Sequence, residues 1–268
     1  MNALKRMRHR GKITLNSDDL FHLCPEYAND PTRRPRLGPK LYSIAKRFID
    51  RSYRTLLTGR VRVNNIVVFT AGGSATGKST LLRAAGEKRG VDFLVDTTFS
   101  DTDRALAQLD RALERGRKVE VYYVYRDFRE CVESMLRRAS DPAFGRLVPI
   151  DDMARTHYGA QRAILAALEK YQGNPDVSIR LNKNVGRKRL SQLPLEEFHN
   201  LLHRSVDELQ QLGQSVLDGF YKGNRRKRTR GNKDHNPRRR GLSIRFAIYE
   251  AARSKAQGAG VTSRESHA

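Results

Sequence analysis

The chain has 268 residues, of which 38% are hydrophobic, and 52 Lys and Arg against 29 Asp and Glu give it a formal net charge of +23. That length holds one α/β domain with extensions or two small domains, and the low apolar share leaves part of it outside a packed core. Two cysteines without metal spacing, Cys24 and Cys131, and no apolar run near the about 18 residues of a membrane span argue against a disulfide scaffold, a zinc module and a membrane protein.

The start, Met1 to Arg6, lacks the apolar stretch of a signal peptide, so the expected compartment is the cytoplasm. Residues 1–36 read as an irregular basic segment, with Lys5, Arg6, Arg8, Arg10 and Lys12 followed by Pro25, Pro31 and Pro35. From Pro39 the spacing Leu41, Ile44, Phe48, Ile49, Tyr53, Leu56, Leu57 predicts a helix that stops near Gly59.

The next stretch carries the most specific signal. Ile66 to Phe69 is a short apolar strand, and Gly72-Gly73-Ser74-Ala75-Thr76-Gly77-Lys78-Ser79 fits G-x-x-x-x-G-K-[ST], continued by Thr80 into a good helix former. Glycines let successive backbone N–H groups turn inward as an anion nest, and the helix start adds its positive partial charge. In such a loop Lys78 reaches the β- and γ-phosphates of ATP and the Ser79 hydroxyl sits on Mg²⁺. The element following the helix, Val91 to Phe99, is an apolar strand with Asp96 near its end. A carboxylate at the carboxyl end of a parallel strand lies on the ligand edge of such a sheet, where Asp96 is placed to hold Mg²⁺ or to accept a hydroxyl proton. The other reading of Asp96 is a cap for the next turn. Ser100 with Asp103 reads as a capping box for a helix bearing Leu106, Leu109, Ala112 and Leu113, which stops at Gly116.

Val119 to Tyr125 is the third strand, so the order is β-α-β-α-β, the alternation of a parallel sheet. A helix over Arg126 to Arg138 leads into a loop with Asp141, Pro142, Gly145 and Arg146. Arginines in a loop that closes supply cations to a transferred phosphoryl group, which singles out Arg137 and Arg146. Ile150 to Tyr171 is a long helix in which His157 reads as half-buried structure, and Val177 to Leu181 is a last short strand. The expected fold is therefore α/β: a three-layer, P-loop kinase-like domain over 37–190 with a mostly parallel sheet.

The loop Gly72 to Thr80, the run Phe93 to Thr98 leading to Arg115 to Tyr122, the stretch Arg137 to Pro149, and the strand with Arg180 and Asn182 together resemble the zeta toxin family of P-loop kinases. The resemblance spans roughly residues 40 to 190. It implies phosphorylation of a sugar hydroxyl of UDP-N-acetylglucosamine by ATP, lid arginines at the positions of Arg137 and Arg146, and an antitoxin partner. One departure stands out. The family carries an extra strand, with its catalytic aspartate, between the P-loop helix and the strand matched by Asp96. Here the ten residues Arg83 to Asp92 fill that space. Asp96 is the first candidate for base or metal partner, and Asp101 the second.

Leu193 to Leu217 has the spacing of an amphipathic helix, placed at 191–221 with a stop at Gly219. Residues 222–268 then read as a basic, largely disordered tail. Lys222 to Arg240 holds ten Lys or Arg against the single acid Asp234. Two further readings stay open from sequence. One is a nucleic-acid-associated P-loop protein, a polynucleotide kinase or plasmid-maintenance ATPase using that tail. The other is a member that binds ATP without transferring phosphate.

Overall fold

A computed structural model describes residues 7–9, 12–30, 33–59, 65–87, 90–139, 147–186 and 189–229. Its centre is the strand β3 (Ile66–Ala71), whose run of β-branched and aromatic residues is covered on both faces. Beside it lie β4 (Val91–Asp96) and β5 (Lys118–Tyr125), both parallel to it. The sheet extends through β6 (Val177–Asn184) and ends in an antiparallel β7 (Leu190–Gln192).

The other side of the sheet corrects the sequence reading. Residues 8–9 and 12–16, expected to be irregular, form β1 (Arg8–His9) and β2 (Lys12–Asn16). The strand β2 runs parallel to β4 in the register Ile13↔Phe93 to Asn16↔Asp96, and the seven-stranded order is β1-β2-β4-β3-β5-β6-β7. Met7 and Leu15 are fully buried. The N-terminal segment is thus part of the core. It occupies the position beside β4 that the short Arg83 to Asp92 connection leaves open.

Two short helices follow, α1 (Ser17–Phe21) and α2 (Pro25–Asn29), and then the 24-residue α3 (Arg34–Leu57). Its buried stripe is Ala45, Ile49, Tyr53 and Leu57, with Leu41, Phe48 and Leu56 packed beside it, so the expected face is the buried one except at Ile44, which is 57% exposed. Tyr53 donates its hydroxyl proton to the Gln108 carbonyl and packs edge-on against Phe69 and Phe93. With α5 (Thr102–Glu114) and α7 (Ile150–Lys170), α3 shares the main core on one face of the sheet. On the opposite face, among the described residues, Leu81 of α4 (Lys78–Glu87) packs on Val68, Leu94, Tyr122 and Val124. This gives the expected three layers. The cap of α5 is Asp101, whose carboxylate accepts from the Arg104 N–H, and not Ser100.

A second apolar cluster joins α6 (Phe128–Ala139), α7 and α9 (Val206–Thr229). The single helix expected over 191–221 is instead β7, α8 (Leu195–Asn200) and α9. Pro194 starts α8, and its end at Leu201 lets Phe198 enter the main core before α9 turns toward α6 and α7. The helix α9 runs through Gly219 to Thr229 and includes the first residues of the basic stretch; residues 230–268 lie outside the described residues. At the amino-terminal edge of the sheet the fully buried Arg117 pairs with Asp92 and donates to Asn65 Oδ1 (3.1 Å) and the Gly59 carbonyl (3.0 Å).

Candidate active site

The loop between β3 and α4 is built by close approach. Gly72 has φ of 128°, and a Cβ there would stand 2.5 Å from the Val124 carbonyl oxygen, so only glycine fits. Its N–H donates to the Thr98 carbonyl at 3.1 Å, tying the loop to the segment after β4. Thr76 closes the loop by donating to the Gly73 carbonyl (3.1 Å). The Lys78 ammonium lies across the loop and donates to the Gly72 and Gly73 carbonyls, 2.8 Å each. Ser79 and Thr80 open α4, with the Ser79 side chain exposed.

Two side chains from distant elements brace this loop. His157 is buried, and its Nε2–H donates to the Ser74 carbonyl at 2.9 Å. Burial pushes its pKa down to about 3, so the ring is neutral and the carbonyl contact sets the tautomer. The Phe128 ring stands edge-on to it, 4.9 Å between centroids. Gly73 has no room for a side chain because a Cβ would fall 2.0 Å from the same imidazole. Asn184, at the end of β6, donates to the Thr76 carbonyl at 2.7 Å. Neither contact has a local sequence signal. Asn182 and Arg180, which the sequence singled out, hold the Tyr123 carbonyl and cover the Tyr122 ring instead.

Asp96 ends β4 on the same edge. Its Oδ1 accepts from Thr70 Oγ1 at 2.7 Å, and its Oδ2 from Asn16 Nδ2 at 3.2 Å. Burial pushes Asp96 up and Lys78 down, and each one's charge opposes the shift of the other. Both belong to the carboxyl-terminal edge of the sheet, Lys78 at the start of α4 and Asp96 at the end of β4. Next to it the buried Phe99 has φ of 58° and, in the loop, Ala75 has φ of 65°, two left-handed non-glycine residues at one site. Asp101 caps α5 and is committed there. Asp18 and Asp19, at the start of α1, act on the same site through their charges: both on Asp96, and Asp18 on Lys78 as well.

Among the described residues no three His, Cys, Asp or Glu side chains gather to hold a metal by themselves. The donor types present, the Ser79 hydroxyl and the Asp96 carboxylate, suit Mg²⁺, which takes one or two protein oxygens and completes its shell with phosphates and water. Of the arginines, Arg126 donates to Glu130 (2.9 Å) and Ser134 (2.9 Å), and Arg137 to Ser134 (3.1 Å). The charge of Arg138 acts on Lys78. Arg146 lies outside the described residues.

Residues 86–190 match the family model described as "Zeta toxin". The match covers less than half of the chain. The match begins at the end of α4, so the phosphate loop lies upstream of it. No curated protein matches the chain. Among solved structures, one from the PezAT chromosomal toxin–antitoxin system of Streptococcus pneumoniae has a TM-score of 0.35 at 13% identity, covering 65% of this chain and 95% of that one. A native AvrRxo1-ORF1:-ORF2 complex gives 0.43 at 12%, covering 72% and 88%. The same pair with sulphate ions gives 0.39 at 15%, covering 67% and 78%. Likenesses this distant carry no argument about activity. Among the described residues no helix is long and apolar enough to cross a membrane.

Proposed function

We propose that the chain is an ATP-dependent kinase of the zeta toxin type, which moves the γ-phosphoryl group of ATP to a hydroxyl of a small molecule, a nucleotide sugar such as UDP-N-acetylglucosamine. The observation that carries the reading is the glycine loop with Lys78 laid across its own carbonyls, beside a strand that ends in the Asp96 carboxylate. On ATP binding, phosphate oxygens replace the Gly72 and Gly73 carbonyls as acceptors for the Lys78 ammonium. Ser79 and Asp96 would hold Mg²⁺, which when bound neutralises charge between the β- and γ-phosphates. Arg137 and Arg146, the arginines the sequence singles out, would add positive charge where it is needed as the γ-phosphoryl is transferred. An antitoxin protein is the partner this reading brings with it.

The test uses the full chain with Mg·ATP and a panel of nucleotide sugars, with products identified by mass. A product one phosphate heavier is expected, and its loss in Lys78→Ala. ATP binding without any phosphorylated product would overturn the reading.

A further inference from the structure

The helix α3 holds seven Lys or Arg against one acid, Asp50, and that acid is engaged by Arg104 of α5. On α6 and α7 the exposed arginines Arg137 and Arg155 each have an acid about one turn away, Glu133 and Asp152. The outer face of α3 has no such compensation. Lys40, Arg47, Arg51 and Arg54 are all exposed, and none of the four side chains has a hydrogen bond or ion pair among the described residues. By helical spacing they fall within an arc of about 60° and span about 21 Å of the axis. That arc lies opposite the stripe Ala45, Ile49 and Tyr53 that the helix buries. Like charges one turn apart, as at Arg47 and Arg51, weaken a helix. The row is therefore held against its own repulsion, which a polyanion laid along it would remove.

We propose that the outer face of α3 is a docking surface for the phosphate backbone of double-stranded nucleic acid, gripped without reading its sequence. Three of the four cations are arginines, whose planar donor forks suit phosphate oxygens. The net charge of +23 adds a long-range pull toward a dense polyanion. A single strand is held by aromatic side chains that stack on its bases. The exposed aromatic of α3, Tyr42, stands two residues after Lys40 and so about 200° around the helix, away from the row. The face thus offers charge for a backbone and no platform for bases. This surface is a second binding function, argued from α3 alone and independent of the kinase reading.

The experiment titrates the full chain into a fluorescent DNA duplex of about 20 base pairs, into one of its single strands and into poly-glutamate, across about 50–200 mM salt. Wild type is expected to prefer the duplex, with an affinity that falls steeply as salt rises. Replacing all four cations (Lys40→Gln, Arg47→Gln, Arg51→Gln, Arg54→Gln) should lower the slope of log affinity against log salt by about 3–4 and weaken duplex binding by about 30-fold or more. Arg47→Gln with Arg51→Gln alone should take about half of that slope, and both variants should melt like wild type because the side chains are exposed. A control loses the same charge from other exposed positions, Lys118→Gln, Arg155→Gln, Arg162→Gln and Lys170→Gln, and should stay within about fivefold of wild type. A loss in the α3 variants no greater than in the control overturns the inference and assigns any binding to net charge or to the stretch Lys222 to Arg240. Tighter binding of the single strand or of poly-glutamate overturns it as well, and so does a wild type that binds none of the three.

Discussion

His157 gives its one ring N–H to the Ser74 carbonyl and is held neutral by burial, which makes the phosphate loop sensitive to acid through a residue that touches no phosphate. The sign follows from linkage. The unfolded chain binds a proton at this ring below its ordinary value of 6.5, and the folded chain does so only near 3, so stability is complete above 6.5 and falls as pH drops through that window. At pH 5 the loss is about 2 kcal/mol. Urea midpoints at pH 7 and pH 5 check this, because His157→Gln should remove that share of the pH dependence; an equal dependence in both proteins would contradict it. Arg117 teaches the opposite lesson about charge. Read in sequence as one more basic residue, it is fully buried against Asp92, Asn65 and the Gly59 carbonyl. Arg117→Met leaves those acceptors without their cation, at a cost of about 3–5 kcal/mol. Since the clamp stands at the edge of the sheet opposite the phosphate loop, ATP affinity below the melting temperature should be unchanged, and denaturant titration beside nucleotide binding measures both.

At the scale of elements, the strand β2 takes a core position its sequence does not suggest, while the helix α3 buries its predicted stripe at all but one residue. Leu15 belongs to a segment read as irregular and is fully buried, whereas Ile44 belongs to the predicted apolar stripe and is 57% exposed. Leu15→Ala should therefore cost about 2–5 kcal/mol, and Ile44→Ala stay within about 0.5 kcal/mol. Melting curves of the two variants side by side test the assignment, and equal shifts would refute it. The reason the strand was missed is physical. Lys-Ile-Thr-Leu-Asn does alternate, but it is five residues long, set among charges, and its partner lies far down the chain. The phosphate loop, by contrast, was legible because all its chemistry is contiguous: glycines, lysine and hydroxyl act within eight residues. Asp96 was legible as an acid at a strand end, while Asn184 and His157, which brace the loop from β6 and α7, act across the fold and leave no local trace. The break between α8 and α9 was hidden because Phe198 and Leu209 fit one helical spacing yet serve two separate cores.

For the whole molecule, the parallel order β2-β4-β3-β5-β6 gathers Asn16, Asp96, the glycine loop and Asn184 on one edge, from segments spread over most of the domain. The three layers followed from the alternation of strands and helices, whereas the position of the first strand is a tertiary choice that no spacing encodes. That choice also sets the order of events during synthesis. Asn16 leaves the ribosome 80 residues ahead of Asp96, and a parallel strand has nothing to pair with until its neighbour emerges. At ~5–20 residues per second the N-terminal strand waits roughly 4–16 s with its backbone donors and acceptors open, a window in which a chaperone or another nascent chain competes for them. The edge of the sheet that carries the chemistry is complete only later still, when Asn184 emerges 108 residues after Thr76.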